Sequence, residues 1–227
     1  MAHGFAKPVV YLYPAEGAAL PMDAVVSVRL AGGASVRFTA LVPVATTRRG
    51  ADEASWRVRV LSRAGLLAVT PPEDGSELPP PVTYLFWESE APRVQLRLPG
   101  SGCVSVPGAT LGDWLLRELR SAGLTPREYT EMASYWAGRL SHHAWVALRF
   151  LSAAEIDDRV ARLDVTPPPD TTLRVYLVCR GVDAPPDWAP RAQQQAQQAA
   201  DGGDDDMDAA CVQRTGFTVV EWGGSEV

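Results

Sequence analysis

The chain has 227 residues, 46% of them hydrophobic, enough for one substantial core and better suited to a single domain with an insertion than to two domains. No apolar run reaches the ~18 residues that span a bilayer, and the start, Met1 to Pro8, lacks the basic opening and apolar core of a signal peptide. The net charge is −6, but residues 184–210 hold six Asp and one Arg, hence −5; the remaining −1 leaves no basic stripe for nucleic acid. The expectation is a soluble, cytoplasmic protein with no membrane and no nucleic-acid partner.

Strand signals dominate the first two thirds. Val9 to Tyr13 is a short apolar run stopped by Pro14. Val26, Val28 and Leu30 alternate with polar residues, as do Val36, Phe38 and Ala40; Trp56, Val58 and Val60; and Val94, Leu96 and Leu98. Period two with one polar face predicts half-buried antiparallel strands. Gly32-Gly33 reads as a hairpin turn between two of them. Pro71-Pro72 and Pro79 to Pro81 bracket a loop before the apolar run that ends in Trp87-Glu88.

Two helices follow. Leu111, Trp114, Leu115 and Leu119 share one face, with Gly123 as the stop. Thr125-Pro126-Arg127-Glu128 supplies an N-cap, a first-turn proline and a capping-box glutamate. Tyr129, Met132, Ala133, Trp136, Ala137 and Leu140 then form one continuous stripe. Ala144 to Leu151 reads as a strand. Ser152 to Glu155 opens a short helix expected to end near Leu163. Leu173, Val175, Leu177 and Cys179 mark another strand. Residues 184–210 are rich in Pro, Gln and Asp and are expected to be disordered. The chain then returns with Gly216 to Gly224, an apolar run ending in Glu221-Trp222 and two glycines. Apolar residues in both phases of this run predict a central strand.

Lys7 to Pro14 (KPVVYLYP), Tyr84 to Glu88 (YLFWE), Tyr135-Trp136, Pro167 to Val178 and Gly216 to Gly224 (GFTVVEWGG) together resemble a family of uncharacterised proteins of bacteria and some eukaryotes. The resemblance covers nearly the whole chain outside the acidic stretch. It implies a shared fold and carries over no activity and no catalytic residue. Many members of that family look secreted or lipid-anchored, a signal this chain lacks. Their connection before the last strand tends to be short, whereas here it is the acidic, Gln-rich stretch.

Candidate chemistry is sparse. Glu88 and Glu221 each end an apolar run beside a tryptophan. Two carboxylates across a cleft are the machinery of glycoside hydrolysis, and Trp87 and Trp222 are suited to stacking on a sugar ring. The competing structural reading pairs these glutamates with arginines such as Arg174. Arg174 is itself a candidate clamp for a carboxylate or phosphate. His142-His143 lack a third ligand at metal spacing, and adjacent strand residues point to opposite faces, so no metal is expected. Cys103, Cys179 and Cys211 form no framework, and Cys103 and Cys179 read as buried free thiols. Asp201 to Asp208 lacks the closing glutamate and ligand spacing of an EF-hand loop and reads as a solvated tether.

These signals predict one α+β domain, residues 1–183 plus 211–227, mainly antiparallel β in a sandwich-like or twisted sheet, with a helical hairpin packed on one face. The expected function is a non-catalytic binding or interaction module for an unknown ligand or protein partner, without a cofactor. The alternatives are a hydrolase acting on carbohydrate through Glu88 and Glu221, and a structural subunit of an assembly.

Overall fold

The computed structural model describes residues 4–32, 36–73, 77–90, 96–192 and 213–227. The protein is α+β and β-rich, with two mostly antiparallel sheets and three helices among these residues. Contacts divide the chain into two compact units. The first takes Met1–Gln95, Leu151–Tyr176 and Arg214–Ser225; the second takes Leu96–Phe150, Leu177–Gln213 and Glu226–Val227. No helix among the described residues is long and apolar enough to cross a membrane.

The first unit holds two sheets. One has the order β3 (Arg37–Val42), β7 (Leu85–Glu90), β1 (Gly4–Tyr13), β12 (Thr218–Glu226) and β11 (Thr171–Val182), the last of which continues into the second unit. The other has the order β10 (Ala161–Thr166), β2 (Met22–Leu30), β5 (Glu53–Val60) and β4 (Thr47–Arg49), with β6 (Leu67–Val69) also paired to β5. Strand β12 is buried along its whole length except Glu226 and lies between β1 and β11, the central position its two apolar phases require. The register of β1 slips between Ala6 and Val9 against β12 and between Phe5 and Val9 against β7. Pro8 has no N–H to give the ladder, and Lys7 before it takes a left-handed φ of 49°.

Three expectations fail here. The strands flanking Gly32 do not form a hairpin: β2 pairs with β5 and β10 in one sheet, β3 with β7 in the other. Gly33 lies outside the described residues, and Gly32 has a φ of 111°. Sequence neighbours with turn chemistry between them pair only if one sheet takes both, and that choice rests on long-range partners. The third helix, α3 (Ala153–Arg159), stops short of Leu163, and the residues beyond it form β10. There Arg162, Asp164 and Thr166 alternate with Leu163 and Val165 in period two, on an outer strand held by β2. The strand expected at Val94–Leu98 is not one: Leu96 to Leu98 have no strand structure, and Val94 and Gln95 lie outside the described residues.

In the second unit the end of β11 pairs with β9 (Trp145–Phe150), which pairs with β8 (Val104–Pro107). Helix α1 (Leu111–Ser121) and helix α2 (Pro126–Leu140) form the expected hairpin around Gly123, whose φ is 92°. The Glu128 carboxylate is fully buried because it accepts the Thr125 N–H at 2.8 Å, closing the start of α2. Helix α1 lies against the strands through Trp114, stacked on Phe150 at 6.3 Å.

Residues 184–192, expected to be disordered, are packed into the fold. Ala189 is fully buried against Cys103 and Ala147, with Trp188 packed on the same cluster. Ser105 donates its backbone N–H to Pro190 O at 2.9 Å and its hydroxyl to Ala189 O at 2.7 Å. Arg191 bridges to Ser105 and lies over the Trp145 ring. Composition misled here because one small residue and one tryptophan suffice to anchor a polar stretch. The remainder of the expected insertion, with Asp201 to Asp208 and Cys211, lies outside the described residues.

Candidate functional site

The two Trp-Glu pairs meet in the first unit, but crosswise. The ladders place Leu85, Val10 and Glu221 in one cross-strand row and Phe86, Val9 and Trp222 in the next. Because successive strand residues face opposite ways, Trp87 shares a face with Glu221, and Glu88 shares the other with Trp222. The Trp87 indole N–H accordingly donates to Glu221 Oε1 at 3.3 Å. The carboxylates of Glu88 and Glu221 project from opposite faces.

Glu221 is only 3% exposed, and its partners account for its charge. Arg174 donates Nε–H to Glu221 Oε2 at 2.6 Å, Nη2–H to Ala161 O at 2.9 Å and Nη1–H to Asp157. One guanidinium on β11 thus ties β12 to both α3 and β10, linking the two sheets of this unit. Each of its three nitrogens is engaged by an internal acceptor, which leaves no fork for an external carboxylate or phosphate.

Glu88 is half-buried, and Trp222 is fully buried with Lys7 Nζ 5.5 Å from its ring centroid. The glycines after Trp222 do permit a close approach, and the segment that takes it is Pro8: a Cβ on Gly223 would lie 3.0 Å from the Pro8 Cα. Asp170 and Gly216 make a second such contact. Phe217 N–H donates to Asp170 Oδ2 at 2.6 Å, and a side chain on Gly216, at φ +64°, would collide with that carboxylate. The motif segments from Lys7, Tyr84, Pro167 and Gly216 are therefore built around one another.

The remaining candidates are scattered. His142 and His143 sit in the turn after α2 rather than on a strand, so their rings come together, with centroids 4.0 Å apart. Gly181 and Gly108 exist there to admit His143: a Cβ on Gly181 would strike its ring and one on Gly108 its carbonyl. No group of three metal-ligating side chains occurs among the described residues. Cys103 is buried and its sulfur accepts the Gly100 N–H at 3.1 Å. Burial pushes the Cys179 thiol far above the usual range, with Glu226 adding to the effect. Burial also raises the Glu118 carboxyl, against the opposing charge of Arg117.

A groove lies elsewhere, on the outer face of the second sheet in the first unit. Its volume is about 680 Å³. Its floor is a cross-strand row in which Thr166 opposes Val25, Val25 opposes Arg57, and Thr70 N–H bonds Arg57 O. Pro71, Leu78 and Pro167 wall it, and Asp23 and Arg59, ion-paired at 2.8 Å, close one end. The alternation that points Arg57 and Arg59 outward is visible in the sequence. That the Leu78 segment returns beside them is not, since no local pattern encodes it.

No protein-family model, curated protein or solved structure matches the chain.

Proposed function

We propose that the protein is a non-catalytic binding module whose ligand lies in the groove over Val25 and Arg57. The groove's volume carries this reading: it falls within the ~300–1,000 Å³ of small-molecule sites, and apolar walls surround few polar groups. Leu78 is 70% exposed and Val25 36%, apolar surface left in water unless something covers it. Carbohydrate hydrolysis through Glu88 and Glu221 draws no support from the geometry. Two carboxylates on opposite faces of one sheet cannot flank one glycosidic bond, and Glu221 is already neutralised by Arg174. In this reading the segments from Lys7, Tyr84, Pro167 and Gly216 serve the fold, and the ligand is read elsewhere.

A small-fragment library screened by amide chemical shifts tests the proposal. Binders should perturb Val25, Arg57 and Ala68 together. Shifts confined to other regions would overturn the choice of groove. Release of nitrophenol from 4-nitrophenyl glycosides, lost in Glu221→Gln at unchanged stability, would restore the hydrolase.

A further inference from the structure

The groove holds two arginines that differ in what they already do. Arg59 is held by Asp23 through a bond from its Nε–H at 2.8 Å. Arg57 has its backbone fixed on both sides: its N–H donates to Thr46 Oγ1 at 3.0 Å and its carbonyl accepts the Thr70 N–H. Among the described residues its guanidinium has neither an ion pair nor a hydrogen bond. It is the unspent cation of the groove, set in the middle of the floor. Directly opposite is Val25, and the walls at Pro71, Leu78 and Pro167 are apolar. The groove thus offers one planar, five-donor cation between apolar walls, with the Asp23–Arg59 ion pair at one end.

We infer that this groove binds a small amphiphilic anion, a carboxylate or phosphate ester with its head on Arg57 and an apolar body along Val25 and Leu78. The inference rests on the groove being the binding site and adds the chemistry of what it takes. A neutral apolar molecule would leave the Arg57 charge without a partner. A cation would meet Arg57 with like charge, since the nearby Asp23 is already used by Arg59. A bare anion would gain only a solvated ion pair, which contributes little. Head and body together use both features.

The test uses the full-length chain, decanoate, decyl phosphate, decanol and inorganic phosphate, all below micelle-forming concentrations, with calorimetry for affinity and amide shifts for location. Decanoate or decyl phosphate should bind at least about tenfold more tightly than decanol, the scale of one charge-assisted contact, and shift the amides of Val25, Arg57 and Ala68. Which of the two binds better decides the head group. Phosphate alone should not bind measurably. Arg57→Gln should reduce the anions to the level of decanol, and Leu78→Asp should weaken every ligand. Both side chains are exposed, so an unchanged melting temperature certifies that the variants are folded. Equal binding of decanol and decanoate in the groove would overturn the anionic head while leaving the groove as the site. Silence of the groove toward all four probes would overturn both. Binding of an acidic peptide there, with the decyl probes silent, would replace the small amphiphile with a protein partner.

Discussion

Arg174 and Glu221 form an ion pair at 2.6 Å with both side chains less than a tenth exposed. The pair joins two neighbouring strands, and through Asp157 and Ala161 it reaches α3 and the second sheet. A charge withdrawn from water to this degree is costly unless matched. Glu221→Gln should therefore destabilise the protein by about 3–5 kcal/mol, the usual loss when one partner of a buried pair is removed. Replacing both, as Arg174→Met with Glu221→Leu, should recover much of that loss. Urea denaturation of the two variants measures it. A Glu221→Gln variant as stable as the parent would mean that the carboxylate is held for chemistry rather than for structure.

Trp136 is fully buried on α2, and among the described residues its indole N–H has no hydrogen-bond partner. Its contribution is therefore volume. Trp136→Ala should cost about 3–5 kcal/mol. Trp136→Phe keeps most of the buried area and forfeits no hydrogen bond, so about 1–2 kcal/mol is expected. Thermal denaturation separates the two. Equal losses would show that the indole nitrogen has a partner after all.

The Ala184 to Ala192 segment is expected to be structural. Replacing it with a flexible Gly-Ser connector should lower the melting temperature by several degrees, since Ala189 and Trp188 lose their packing and Ser105 both bonds. Ser105→Ala alone should cost about 1 kcal/mol. A replaced segment with unchanged melting would place Ser105 and Cys103 under some other cover.

The Cys179 thiol titrates well above its usual range because burial disfavours the thiolate. A folded-state pKa raised above the unfolded one gives stability that is intact below about pH 8.5, the unfolded thiol value, and is lost as pH climbs beyond it. The parent should therefore lose more stability between pH 7 and pH 10 than Cys179→Ala does. Native Cys179 should also resist iodoacetamide at pH 8 and react once urea unfolds the chain. Parallel pH profiles for parent and variant would refute the burial account.

What the sequence determined was local. The stripe from Tyr129 to Leu140, the Thr125–Glu128 capping box and the stop at Gly123 set α1 and α2, because helix caps and periodicity need only neighbours a turn away. Apolar side chains in both phases of Val219 to Trp222 announced a strand covered on both faces, and β12 lies inside a sheet. Tertiary structure decided everything that depends on partners far along the chain. It sent the strands beside Gly32 to different sheets, drew the first half of β10 out of residues read as helix, and anchored Ala189 inside a polar stretch. For the candidate site, the two Trp-Glu pairs were legible as neighbours, and the crosswise way in which they meet was not. Register alone puts Trp87 with Glu221 and turns Glu88 away, since a shift of one residue on a pleated strand moves a side chain to the opposite face. The groove over Arg57 was out of reach for the same reason. Its wall at Leu78 comes from a loop whose place beside β5 no local preference sets, only the packing of the finished sheet.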